Sequence, residues 1–459
     1  MTFRFAELQR QCWLEFSRQR LILMPLILAG ILFVVHLGND TLFAEDFPRY
    51  AIEMQEWCAT LFGLLVIVWG TRMASSTITE ELTARTWDFQ RMSSLSPSEM
   101  LLGKLFGGTS YAWYGGAMLL AMFVYFDIRT GTEPYFMLSN LLHFLLIGVF
   151  AHAMAIFLML LTLRASEFRH KPRGTIVLLL VLLVVLLPVF VVAGFSNNVS
   201  LLPEAGNSGF ETISWYGRSF YVHSFFLLSL LTFTSWTVLA SYRVMASELQ
   251  TRQYALAWPI FLIFLCIYVA GFSPEIPEFD HVVKVSPSVL SSLVITSIAL
   301  YIGLFFDPSH VTSLRAFVHH VRLRHTRKIL ELIPAWVSGG IVFSACLLVA
   351  MLHIAIHIEG GAAKAFSILP LLWFFLRDAG IFVLLQLSGA RRTRAAFFVY
   401  LWVLYFLLPL TLESLAWTQL LAAFTPIALE SEQTLLANIS AIMQAAAAWL
   451  LVKRQWRKP

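Results

Sequence analysis

The residues best suited to recognising another protein lie between positions 80 and 89, in the run Glu80-Glu81-Leu82-Thr83-Ala84-Arg85-Thr86-Trp87-Asp88-Phe89. The chemistry available there is docking. Leu82, Trp87 or Phe89 can enter a groove on a partner, while Glu80, Glu81, Arg85 and Asp88 fix the register by charge. Thr86 belongs to the same candidate docking set. The competing reading is a solvated loop helix whose Trp87 and Phe89 rest in a lipid interface.

Arg377 and Asp378 form a second group, inside a run that is otherwise apolar from Leu369 to Val383. Charges at membrane depth are costly and face a bundle interior or a wet cavity. Adjacent helical residues point about 100° apart, so the sequence predicts that the two do not pair with each other. Each then needs a partner on another span. They line a substrate path or a gating contact, or they make a structural tie between helices. A break near Pro370 and Gly380 would place them at shallower depth.

Other candidates are weaker. His353 and His357 share a helical face near Glu359, but zinc needs a third ligand, and the metalloprotease pattern needs Glu where Ile354 stands. No metal is expected. Cys12, Cys58, Cys266 and Cys346 are scattered and read as core fillers. Gly103-Lys104 runs on into Leu105, so it does not close a phosphate-binding loop. No catalytic Ser/His/Asp or carboxylate pair stands out. The expectation is a chain that is not an enzyme and holds no cofactor of its own.

These residues must be positioned by membrane helices. A chain 58% hydrophobic and 13% charged, with mean hydropathy +0.75, is far from a soluble protein. Apolar runs predict an all-α polytopic fold of about twelve spans. They fall near 21–37, 57–74, 102–126, 137–163, 174–195, 219–242, 254–272, 286–306, 333–357, 367–388, 395–412 and 433–452. Basic clusters such as Arg315/Arg322/Arg324/Arg327/Lys328 and Lys453/Arg454 alternate with acidic loops such as Glu275/Glu278/Asp280. That alternation puts both termini in the cytoplasm. It also assigns the net charge of +5 to topology and excludes nucleic acid as a partner.

Four parts follow. Residues 1–20 form an amphipathic helix, with Phe5, Leu8, Cys12 and Phe16 opposite Glu7, Gln11, Glu15 and Arg18, lying flat on the inner leaflet. Residues 21–242 make a first six-span half that contains the polar segment 75–101. A cytoplasmic connection, 243–253, leads to a second six-span half, 254–459. Its basic loop, 307–332, is a second docking element, an inner-leaflet lipid contact or an ordinary positive-inside loop.

Within 75–104, Thr77 or Thr79 offers a helix cap ahead of Glu80 and Glu81, and Ser96-Pro97 offers a restart. The segment resembles the membrane subunit of ATP-binding-cassette transporters of the type-2 exporter class. There the second span runs into an acidic segment resembling E-E-x-x-x-x-T, then a Ser/Pro turn, then Gly-Lys opening the third span. Here these features read Glu80-Glu81, Thr86, Ser96-Pro97 and Gly103-Lys104. The resemblance covers about residues 1–245; the second half has no paired acids. It implies a permease in a bacterial inner membrane that docks two copies of a cytoplasmic ATPase through 75–101. ATP and Mg would bind in that partner, and an amphiphile would be moved outward. It also implies a re-entrant outer segment within 196–218. The translocation unit is one chain or a homodimer. An ion-gradient-driven transporter and a non-transporting scaffold stand as alternatives.

Overall fold

The computed structural model describes residues 5–38, 47–165, 212–272, 287–306, 311–357, 361–389, 393–415, 417–421, 423–424 and 434–456. The span predicted at 174–195, most of the outer segment 196–218, the acidic trio Glu275/Glu278/Asp280 and Glu359 lie outside the described residues.

The described residues are overwhelmingly helical, as in a polytopic α-helical membrane protein. Nine helices among the described residues are long and apolar enough to cross a membrane. Two further apolar helices fall at predicted spans: Ala257–Ala270, which is shorter, and Pro287–Phe306, whose apolar stretch is Ser291–Phe305. Fourteen residues rise only about 21 Å, against a hydrocarbon core of about 30 Å. Residues 212–221 of the predicted re-entrant region form a hairpin of two strands, β1 (Thr212–Trp215) and β2 (Arg218–Tyr221). Tyr216 and Gly217 both take positive φ at its tip, as a tight two-residue turn requires.

Two compact units make up the chain: Met1–Ile213 with Phe220–Gln253, and Ser214–Ser219 with Tyr254–Pro459. The first holds α1 (Ala6–Glu15), α2 (Arg18–Leu37), α3 (Phe47–Thr83), α4 (Trp87–Met92), α5 (Pro97–Leu102), α6 (Ser110–Thr130), α7 (Pro134–Ala165) and α8 (Val222–Glu248). At 37 residues α3 is about 55 Å long, so its ends extend beyond any single bilayer core. A π-helical stretch, Gly63–Trp69, interrupts it and leaves the Val66 carbonyl free to accept from His152 Nε2 at 2.8 Å. Beyond that point Ile78 of α3 packs with Met100 and Leu105, with Ile156 and Met159 of α7, and with Met245 of α8.

The predicted cap at Thr77 or Thr79 is absent because α3 runs straight through both. Their hydroxyls bond back to the Ala74 and Ser76 carbonyls at 2.8 and 3.1 Å. The helix ends instead in a paired closure: Arg85 N–H donates to Leu82 O at 3.2 Å and Thr86 N–H to Glu81 O at 2.9 Å. Arg85 sits at φ 57, where glycine is the usual residue. The Ser96-Pro97 restart is present. Glu99 N–H donates to Ser96 Oγ at 3.3 Å and Ser96 N–H to Glu99 Oε2 at 3.0 Å, a reciprocal cap with Pro97 in the first turn.

The second unit holds α9 (Ala257–Ala270), α10 (Pro287–Phe306), α11 (Val311–Arg322), α12 (Thr326–Leu332), α13 (Ala335–His357), α14 (Gly361–Ala365), α15 (Pro370–Leu387), α16 (Thr393–Ser414), α17 (Thr418–Leu421) and α18 (Thr434–Trp456). Phe343 and Leu347 of α13, Phe375 and Phe382 of α15 and Phe397 of α16 form its core. The described part of the basic loop is two helices, α11 and α12. Helix α15 is unbroken: Pro370 occupies its first turn, and Gly380 lets α18 approach with Ala448 and Trp449.

Candidate functional site

In the first unit, four elements meet at the Glu81 carboxylate, at the end of α3. Oε1 accepts from Arg10 Nη2 at 2.8 Å and from Gln90 Nε2 at 2.6 Å, and Oε2 accepts from Lys104 Nζ. Arg10 also grips Glu7 through Nε and Nη2, at 2.9 and 2.8 Å, and Gln11 Nε2 donates to Glu7 Oε1 at 2.9 Å. Two carboxylates and two cations balance in the cluster. Lys104 is fully buried, and Glu7, Gln11 and Glu81 are nearly so. The Lys104 ammonium also lies 5.4 Å from the centre of the Trp87 ring.

Local sequence explains the approach. Residues Gly103–Gly107 form a second π-helical turn, and α1 lies against it. A Cβ on Gly103 would fall 2.4 Å from Glu7 Cγ, and one on Gly107 would fall 2.7 Å from Gln11 Cβ. Glycine at both positions admits the polar face of α1 and lets Lys104 reach Glu81. That reverses the expected burial of α1. Its polar face is the buried one, while Trp13 and Leu14 are exposed, because Glu7 and Gln11 find charged partners in the protein in place of water.

The predicted docking residues therefore divide. Glu81 and Trp87 are buried in this internal cluster, and Leu82 is half-buried. Glu80, Arg85, Thr86, Asp88 and Phe89 are exposed, and with them Met92. Phe89 and Met92 are 72% and 76% exposed, unusual for apolar residues on a six-residue helix. Helix α4 is nevertheless held firmly. Gln90 ties it to α3, Trp87 packs on Lys104, and Arg91 Nε donates to Glu248 O at the end of α8, at 3.0 Å. Sequence reasoning missed Glu7, Arg10, Gln11, Gln90 and Arg91. Only the Gly103-Lys104 pair hinted at the cluster.

Acid should loosen α1. Burial alone would raise the Glu7 carboxyl, but the bonds from Arg10 and Gln11 outweigh it and hold Glu7 below its ordinary 4.5. A carboxyl depressed by folding stabilises the fold above its unfolded value, and that contribution is lost as pH falls through the folded value. Hydrogen exchange of residues 6–15 should thus accelerate below about pH 4.5. Glu7→Gln should remove most of that pH dependence; an unchanged profile would show that Glu7 does not anchor the helix.

The second unit contains the other predicted site. Arg377 and Asp378 are 3% and 0% exposed at mid-helix in α15. They pair, contrary to the helical-wheel expectation: Arg377 Nε donates to Asp378 Oδ1 at 2.8 Å. The long arginine side chain curls back toward its neighbour, a freedom that Cβ directions do not register. Partners on other spans are present as well. Tyr400 OH donates to Asp378 Oδ1 at 2.7 Å, and Tyr301 and Tyr405 donate to Oδ2 at 2.6 and 2.7 Å. Arg377 Nη1 donates to Gln444 Oε1 at 2.6 Å and Nη2 to Tyr405 OH at 3.0 Å. Tyr405 belongs to a third π-helical turn, Val403–Leu407. Tyr301, Tyr400, Tyr405 and Gln444 carried no local signal in the sequence.

Among the described residues no group of three or more metal-ligating side chains occurs. No protein-family model, curated protein or solved structure matches the chain.

Proposed function

We propose that this chain is the membrane permease subunit of an ATP-binding-cassette exporter in a bacterial inner membrane, moving an amphiphilic substrate with energy from a separate ATPase. The observation that carries the reading is the mounting of α4. Asp88, Phe89 and Met92 project from it, while Trp87, Gln90 and Arg91 fasten it to the ends of three other membrane elements. An apolar knob flanked by charge suits a groove on a cytoplasmic partner. A push on such a knob would reach α3, α8 and the turn Gly103–Gly107 that precedes α6 together, as ATP-driven closure of two partner subunits requires. ATP and Mg would be held by those subunits.

The test uses residues that project, so that folding is spared. The chain carrying Phe89→Glu and Met92→Glu is purified gently from its native membrane beside the unaltered protein. ATP hydrolysis recovered with the variant should fall at least about tenfold, the loss of about 1.4 kcal/mol or more expected for interface anchors. Equal recovery from both, or none from the unaltered chain with nucleotide present, would move the reading to a gradient-driven transporter or a scaffold.

A further inference from the structure

Cys266 on α9 and Cys346 on α13 are 80 residues apart in sequence, yet their sulfurs lie 3.4 Å apart. They are the two cysteines that the sequence could not bring together. All four cysteines are free thiols. Thr296 of α10 completes the group, its hydroxyl 2.9 Å from Cys266 Sγ. That hydroxyl also bonds to the Ser292 carbonyl, so its own proton is engaged. The Cys266 S–H therefore points to Thr296, and the Cys346 S–H to Cys266. Around them Leu262, Ala299 and Val342 pack without a charge. Closing the gap to a disulfide needs an approach of about 1.4 Å.

We propose that Cys266 and Cys346 form a peroxide-responsive staple between α9 and α13, and that organic hydroperoxides are its oxidants. Cys346 is the more exposed of the two thiols, so the oxidant reaches it first. Its sulfur takes the terminal oxygen of R–O–O–H, breaking the O–O bond; this gives a sulfenic acid and the alcohol R–O–H. Cys266 then attacks that sulfenic sulfur, the S–S bond forms, and the S–H proton leaves with the hydroxyl as water. Two thiols are oxidised by two electrons in all, and the hydroperoxide is reduced by two. A thiol reductant restores the open pair.

The probe is tert-butyl hydroperoxide, applied to the full chain in detergent. Thiols countable after denaturation should fall from four to two. Mass spectrometry should find the peptides of Cys266 and Cys346 joined, and dithiothreitol should return four thiols. The oxidised protein should melt at higher temperature than the reduced one, and Cys346→Ser should abolish both the link and the shift. Four surviving thiols, or lost thiols without that linked peptide pair, would overturn the proposal. So would thiols of the untreated protein that become reactive only after a chelator of soft metals, since the pair would then be a metal site. The peptide link is read on the unaltered chain, so the result stands even if the variant folds poorly.

Discussion

Glu81→Gln is expected to cost about 3–5 kcal/mol of stability, the range for removing one partner of a buried ion pair. The burden falls on Lys104. Arg10 is 45% exposed along its side chain, still holds Glu7, and can turn to water. Lys104 has no exposed surface and no other carboxylate within ion-pair reach among the described residues. Glutamine keeps the shape and an acceptor but leaves an ammonium buried without its counter-charge. The contrast that isolates this cause is Glu81→Leu combined with Lys104→Met, which removes both charges. Apolar replacement of a whole buried pair is often close to neutral, so the double variant should lose less than Glu81→Gln alone. Unfolding by SDS in mixed micelles would rank the three proteins. A double variant weaker than the single one would show that the cluster acts through its hydrogen bonds rather than through charge balance.

The consequence extends to α4. Gln90 and Trp87 both depend on the Glu81–Lys104 pair for their seats, so Glu81→Gln should also quicken hydrogen exchange in residues 87–92 while leaving Phe89 and Met92 chemically unchanged. A partner lost through this variant would be lost through a loosened mount. One lost through Phe89→Glu and Met92→Glu would be lost through the contact itself. The two variants separate positioning from recognition.

What the sequence discloses here follows the range of the interaction. Spans are long and repetitive, so among the described residues hydropathy finds nine helices able to cross a membrane, while α9 is too short for a full crossing and α3 runs well beyond the predicted 57–74. The Ser96-Pro97-Ser98-Glu99 cap is closed within four residues and is legible at once. The end of α3 was harder to read. Its closure puts Arg85 in a left-handed conformation, and Gln250 and Arg324 take the same conformation elsewhere, so the glycine that normally signals such an end is missing. Glu81 was visible as a candidate but its role was not, because Arg10 and Lys104 lie 71 and 23 residues away. The residues of the proposed docking segment that remain exposed consequently narrow to its outward edge. Cys266 and Cys346 were hidden for the same reason.

Asp378→Asn should likewise cost about 3–5 kcal/mol, and its outcome decides between a coupling role and a structural role for this carboxylate. A carboxylate offers about four acceptor positions. Here Arg377 Nε, Tyr400, Tyr301 and Tyr405 take all four, at 2.8, 2.7, 2.6 and 2.7 Å. Asparagine would bring an NH2 donor into a site already full of donors, and it would leave the buried Arg377 without its counter-charge. Tyr301→Phe removes one donor only and should cost about 1.5–3 kcal/mol, as expected for a hydrogen bond to a charged group. An acidic residue that carries a transported proton or cation needs a position it can vacate and refill, and Asp378 has none in this arrangement. If Asp378→Asn folds normally and abolishes only gradient-driven uptake, the carboxylate is a coupling site and the secondary-transporter reading gains the case. If the variant loses stability in step with Arg377→Met, and the double variant recovers, the pair is a structural tie holding α15 against α10, α16 and α18. The filled acceptor positions favour the tie.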